Sequence, residues 1–398
     1  MDYKSRLIRV MVCGMTAGAV SVFIAGDGRS AVAADAPAAT KLTWSPEAAA
    51  RYLDSREVWW QGWDRAQKDH GTLCVSCHTQ ATYGLVRPVL RERLGGHDVS
   101  APEQVMLASI EKRVRDWNEV KPFYSDAVYG SGKEIESRNA EAVLNAIILA
   151  NYDEGRNELS ERTRLAFDHA WALQSQTGPD AGAWIWQNFD YAPWESKESQ
   201  YHWAALMAVT LGRHCREVHP RGEVRISMPR PGDHYCGGPK VVPHIRILLD
   251  YLHSHFGEQP LVNKVVALWV DDYFPGVITS DQEAQLFGEL DRLQHADGGW
   301  SLTDLGTWKR RDKTPLETRS DGYATGLVVL VIEETAMTSN RTERVTRGRA
   351  WLEANQDKTT GAWPAWSVNK NRDPQSPVGQ FMSDAATSYA VLALEARH

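Results

Sequence analysis

The feature that most limits the fold is an internal repeat. The stretch "DRLQHADGGWSL" (291–302) is echoed by "AWLEANQDKTTGAWPA" (350–365), and Trp300 and Trp363 stand 63 residues apart. Ser320 and Asp321 recur at the same offset as Ser383 and Asp384. A third copy is "AWALQSQTGPDAGAWIW" (170–186), followed by "ESQYHWAALMAVTLG" (198–212). Each unit reads as an amphipathic helix, a turn carrying Gln, Gly and Trp, and a second helix that is apolar on nearly every face. A helix of the second kind must be enclosed by others. The second helices open on polar pairs such as Ser383-Asp384, which suit an N-terminal cap. Repeats of this length imply stacked hairpins sharing one core.

The whole chain can be divided this way into six hairpins: 46–96, 102–152, 158–213, 243–275, 280–333 and 341–396. The second unit lacks a Gln-Trp turn. Pro88 interrupts the second helix of the first unit and predicts a kink. An ordinary helical solenoid is the competing arrangement.

"RGRAWLEANQDKTTGAW" (347–363) resembles the QW repeat of terpenoid cyclases such as squalene–hopene cyclase. The resemblance covers most of 158–398 and implies an all-α, (α/α)6 toroid. In it, Gln294 with Trp300, and Gln356 with Trp363, would tie neighbouring hairpins together. It also suggests an isoprenoid or other hydrophobic substrate. The acid motif D-x-D-D of that family does not carry over: "ALWVDDYF" has Asp271 and Asp272, but Trp269 where the first Asp belongs. The zinc site of the toroidal prenyltransferases has no match either.

A second signature lies in the first hairpin. "GTLCVSCHTQ" (71–80) contains Cys74, Cys77 and His78 as C-x-x-C-H, the attachment pattern of c-type haem. The spacing lets two thiols form thioethers to the haem vinyl groups while the histidine becomes the proximal iron ligand. Alternatives are a zinc site, which needs two more ligands, a thioredoxin-like pair, which needs a βαβ setting, and a small disulfide. The motif falls where later repeats carry their Gln-Gly-Trp turn, so one covalent haem would be built into the toroid. For the distal position Met382 is favoured, because the sixth hairpin must close the ring against the first. His202 is the alternative. His70 shares the attachment turn, and His97 and Met106 lie beyond the far end of the helix.

Residues 1–33 read as an export signal. Lys4, Arg6 and Arg9 precede an apolar run, and Ala31-Val32-Ala33 fits a cleavage site before Ala34. The protein is therefore expected to be exported and periplasmic, with 34–398 forming one toroidal domain. Loss of the signal takes the net charge from −7 to −9, which argues against a nucleic-acid partner. No second long apolar run suggests a membrane span. Cys13 leaves with the signal. Once Cys74 and Cys77 are assigned to haem, Cys215 and Cys236 remain as a disulfide pair bracketing an insert at 214–240. A metal site that also used His214, His219 or His234 is the rival reading of that insert.

Three functions follow. The first is a redox protein, either an electron-transfer cytochrome meeting a partner protein or a haem-dependent oxidant of a small hydrophobic substrate. The second is a non-redox toroid enzyme, a cyclase or lyase. The third is a ligand-binding module with a structural haem, its 16 tryptophans partly serving recognition.

Overall fold

In the computed structural model, residues 44–154, 158–215, 235–335 and 342–396 are described. Residues 1–33, read above as an export signal, and most of the 214–240 insert lie outside them, including the side chain of Cys215 named for the disulfide.

The six expected hairpins are present, each with an outer helix followed by an inner one. They are α1 (Pro46–Gly62) with α2 (Gln80–Arg93), then α3 (Ala101–Arg115) with α5 (Lys133–Tyr152), a short α4 (Asp126–Tyr129) lying in that connection. Next come α6 (Glu161–Leu173) with α7 (Ser199–Cys215), and α8 (Val242–His255) with α9 (Leu261–Tyr273). The last are α10 (Ser280–Leu293) with α11 (Gly322–Glu334), and α12 (Thr342–Asn355) with α13 (Phe381–Glu395). The inner helices contact in the cyclic order α2, α5, α7, α9, α11, α13 and back to α2. The fold is an all-α (α/α)6 toroid. A solenoid would leave its ends apart.

Sequence composition explains the two layers. In α11, "GYATGLVVLVI" is buried from Gly322 to Ile332, whereas α10 buries only Leu286 and Leu290. An inner helix has neighbours on both flanks and an outer helix behind it, so it keeps no polar face. Close approach needs small residues: a Cβ at Gly326 would fall 2.7 Å from the backbone nitrogen of Ala390, so α11 and α13 touch backbone to backbone there.

The Gln-Trp turns are mechanical ties. Trp184, Trp300 and Trp363 each bury the indole and donate Nε1–H to a carbonyl of their own outer helix, at Ala170 (2.6 Å), Leu290 (2.9 Å) and Leu352 (2.7 Å). Each glutamine amide donates twice, once inside its turn and once to the next hairpin. Gln174 reaches His244 O (3.1 Å), Gln294 reaches Arg344 O (3.0 Å) and Gln356 reaches Ser45 O (2.9 Å). The last tie closes the ring, and Ser45 N–H returns a bond to Gln356 Oε1 at 2.7 Å.

One local expectation needs correction. Asp321 does cap α11, accepting from Ala324 N (2.8 Å) and Leu302 N (2.6 Å). Ser383-Asp384 does not cap α13: the helix begins at Phe381, and Asp384 N–H already donates to Gln380 O. Pro88 sits within α2, which continues past it to Arg93. Among the described residues no helix is long and apolar enough to cross a membrane.

Candidate functional site

The connection from α1 to α2 differs from every Gln-Trp turn. A two-residue ribbon, β1 (Gln67–Lys68) with β2 (Thr72–Leu73), reverses the chain and leads into Cys74. It is anchored from below. Thr72 Oγ1 accepts from the buried Arg113 at 2.7 Å, and Arg113 pairs with the buried Glu141. Leu73 N–H donates to Ser109 Oγ (2.8 Å), and Trp60 Nε1–H to Cys74 O (2.9 Å). Residues 74–79 form a turn and not the start of the helix itself, which begins at Gln80. Ser76 makes that entry possible, its Oγ accepting from Thr79 N (3.2 Å) and Gln80 N (3.0 Å). This satisfies amide groups that a helix start leaves open.

Above this turn lies a cavity of about 990 Å³ of empty space, part of it open to solvent. Cys74, Cys77, His78 and Met382 all line it, so the motif and the favoured distal residue meet at one rim. His202 does not. It is buried within α7 and lines no part of this cavity. His97 opens on the opposite end of α2 beside Arg91 and Arg93, Met106 is buried in α3, and His70 is exposed beside Asp69.

The walls are aromatic. Phe381 stacks on the His78 ring with centroids 3.8 Å apart, and Trp60 meets it edge-on at 5.4 Å. Trp63, Trp194 and Tyr124 add further lining. Low polarity sets the charge states. Burial, with the charges of Arg56 and Arg372, pushes His78 down to about 3, so the imidazole is neutral and keeps a lone pair for a ligand. Burial pushes Cys74 up to about 12 and Cys77 well above the usual thiol range. Both are free thiols, not a disulfide, and neither is a thiolate nucleophile.

Sequence reading missed two carboxyl groups here. Glu195 lines the cavity, and desolvation pushes it up to about 7 against weak opposition from Lys133. Nothing in "APWESKES" marks it in advance, because its position follows from the long connection between α6 and α7. Asp384 is buried one turn into α13 and is held by four donors. Tyr52 and Arg56 reach Oδ1 (2.8 and 2.7 Å), and Arg56 and Thr79 reach Oδ2 (3.0 and 2.7 Å).

Other expected features behave differently. Asp271 is a turn-former, its Oδ1 accepting from Gly276 N and Ile278 N, and the Asp271-Asp272 pair faces none of this cavity. Among the described residues no group of three or more His, Cys, Asp or Glu side chains could hold a metal ion, so a protein-only metal cage is not part of the site. Cys236 is buried, whereas His219 and His234 fall outside the described residues.

No family model and no curated relative matches the chain. Among solved structures it is similar to the inactive variant of a GH76 alpha-1,6-mannanase of Salegentibacter sp. HEL1_6 in complex with alpha-1,6-mannotetrose. The identity is 12%, the TM-score 0.48, and the match covers 88% of this chain and 99% of that one. This corrects the terpenoid-cyclase resemblance: the toroid found to be similar is a glycoside hydrolase. The redox reading is corrected with it, both as an electron-transfer cytochrome and as a haem-dependent oxidant. A likeness this distant transfers no activity to the present chain.

Proposed function

We propose that this protein is a non-redox toroid whose rim pocket binds a small ligand, with a covalently attached structural haem forming one wall. The observation that carries the proposal is the meeting of Cys74, Cys77 and His78 on one aromatic-lined cavity. The residues suit the group. Two protonated thiols can each add across a haem vinyl group, sulfur bonding one carbon and the thiol hydrogen the other, with no atom lost. His78 would hold the iron, and Met382, lining the same cavity, would be the candidate for a second bond to it. Arg372 and Asn369 line the same cavity and would offer polar partners to the carboxylates of such a group. When bound, the haem supplies a rigid apolar plane and a covalent staple across the turn before α2. The remaining walls, Trp63, Trp194 and Tyr191, offer stacking surfaces to a ligand. Attachment of this kind takes place outside the cytoplasm, in keeping with the export signal read in residues 1–33.

Glu195 favours a second reading, in which the bound ligand is also a substrate. A carboxyl group titrating near 7 beside aromatic walls suits proton transfer in a lyase.

The test is thermal unfolding of the exported protein beside its Cys74→Ala/Cys77→Ala variant, with haem content measured in both. Haem in the wild type that survives denaturation, and a less stable haem-poor variant, support the reading. A wild type without haem, or one that reversibly exchanges electrons with a partner as its main activity, refutes it.

A further inference from the structure

We propose that Thr79 and Asp384 act as positioning residues that fix His78 as the Nδ1–H tautomer, leaving the Nε2 lone pair free for a ligand. This inference rests on the reading of His78 as the residue that holds the haem iron.

Asp384 is bracketed by Arg56 through two bonds, at 2.7 and 3.0 Å, and also accepts from Tyr52. Arg56 holds both oxygens of Asp384 with donors that cannot accept, so the carboxylate faces its partners as an acceptor. Thr79 Oγ1 lies 2.7 Å from Asp384 Oδ2, so the hydroxyl spends its single proton there. The same oxygen lies 2.9 Å from His78 Nδ1. Having no second proton, it faces the ring as an acceptor, and Nδ1 must carry the hydrogen. A neutral imidazole protonated at Nδ1 is unprotonated at Nε2. Outer groups of this kind commonly set the tautomer and ring orientation of histidines that bind metals.

The repeat shows that Asp384 has left its ordinary task. Its counterpart Asp321 accepts from backbone amides on both oxygens, Ala324 N at the start of α11 and Leu302 N in the connection before it. Asp384 instead spends both on side chains of the first hairpin, from α1 (Tyr52, Arg56) and from the turn before α2 (Thr79). The sixth hairpin therefore orients the histidine of the first. The ring must close before His78 is set, and the lining methionine, Met382, comes from the same turn of α13.

The experiment uses the full chain labelled with 15N-histidine and produced in cells lacking the haem-attachment apparatus. Long-range 1H–15N correlation then reads the tautomer directly. The expected result is His78 protonated at Nδ1 in the wild type, a shift toward Nε2–H in Thr79→Val, and return to Nδ1–H in Thr79→Ser. Wild-type His78 protonated at Nε2, or a Thr79→Val protein with an unchanged tautomer, overturns the inference. Because this readout needs no haem, lack of haem in the exported protein would sink the preceding reading and leave this one standing. Should the haem-free chain fail to fold, the ferrous iron–histidine stretch of the loaded Met382→Ala protein, read with Thr79 intact and replaced, takes its place. It should fall in Thr79→Val and recover in Thr79→Ser, and an unchanged frequency in Thr79→Val overturns the proposal.

Discussion

Replacing Gln356 by alanine should open the ring at its seam. The side chain is buried and makes three hydrogen bonds, to Ser45 O, Gly361 O and Ser45 N–H, at 2.9, 2.9 and 2.7 Å. Each is worth roughly 1 kcal/mol net, so the loss is about 3 kcal/mol. Gln294 makes two such bonds, to Gly298 O and Arg344 O, and Gln294→Ala should cost about 2 kcal/mol. Gln356→Glu is a sharper probe, because a carboxylate would face two carbonyl oxygens with nothing to donate. It should be at least as damaging as alanine at neutral pH and recover in acid, where the protonated side chain can donate again. Chemical denaturation with a linear extrapolation reads all three. Equal losses at Gln294 and Gln356, or a Gln356→Ala loss below about 0.5 kcal/mol, would refute the idea that these amides carry the joints between hairpins.

Further predictions concern single residues. Gly361 has φ +84°, and a Cβ there would lie 2.3 Å from Ala48 O, so Gly361→Ala should destabilise by more than about 1 kcal/mol in the same assay. Burial pushes Glu57 up to about 7 from an ordinary 4.5, so the folded protein holds a proton that the unfolded chain has released between those values. Stability should therefore fall as pH rises through that window, by about 3 kcal/mol in all, and Glu57→Gln should flatten the slope. A wild type whose stability does not change with pH over that window, or an unflattened slope in the variant, would contradict this assignment. Peptide mapping without reductant should recover Cys215 and Cys236 joined, and two free thiols would return that insert to the metal-site reading.

The fold was legible because the pattern that specifies it is mechanical and repeated. The Gln reaches the next outer helix and the Trp plugs its own, and both tasks demand those residues at that spacing. The same fact explains why the terpenoid-cyclase resemblance misled. A turn that ties hairpins together reports on stacking, not on what the cavity accepts. Cys74, Cys77 and His78 were legible because they are neighbours in sequence. Asp384 was misread as a cap because its repeat partner Asp321 is one. Only the closed ring brings Arg56 and Thr79, more than 300 residues away in sequence, within reach of its carboxylate. Glu195 and Phe381 carry no local signal, since their places depend on irregular connections that no periodicity describes.

The most direct test of the rim pocket as a covalent haem seat is mass spectrometry of the exported protein under denaturing conditions, followed by mapping of the peptide that spans Cys74 to His78. The account predicts a chain heavier by one haem, with both added bonds on that peptide. A chain at the bare polypeptide mass, with Cys74 and Cys77 open to alkylation, would contradict it.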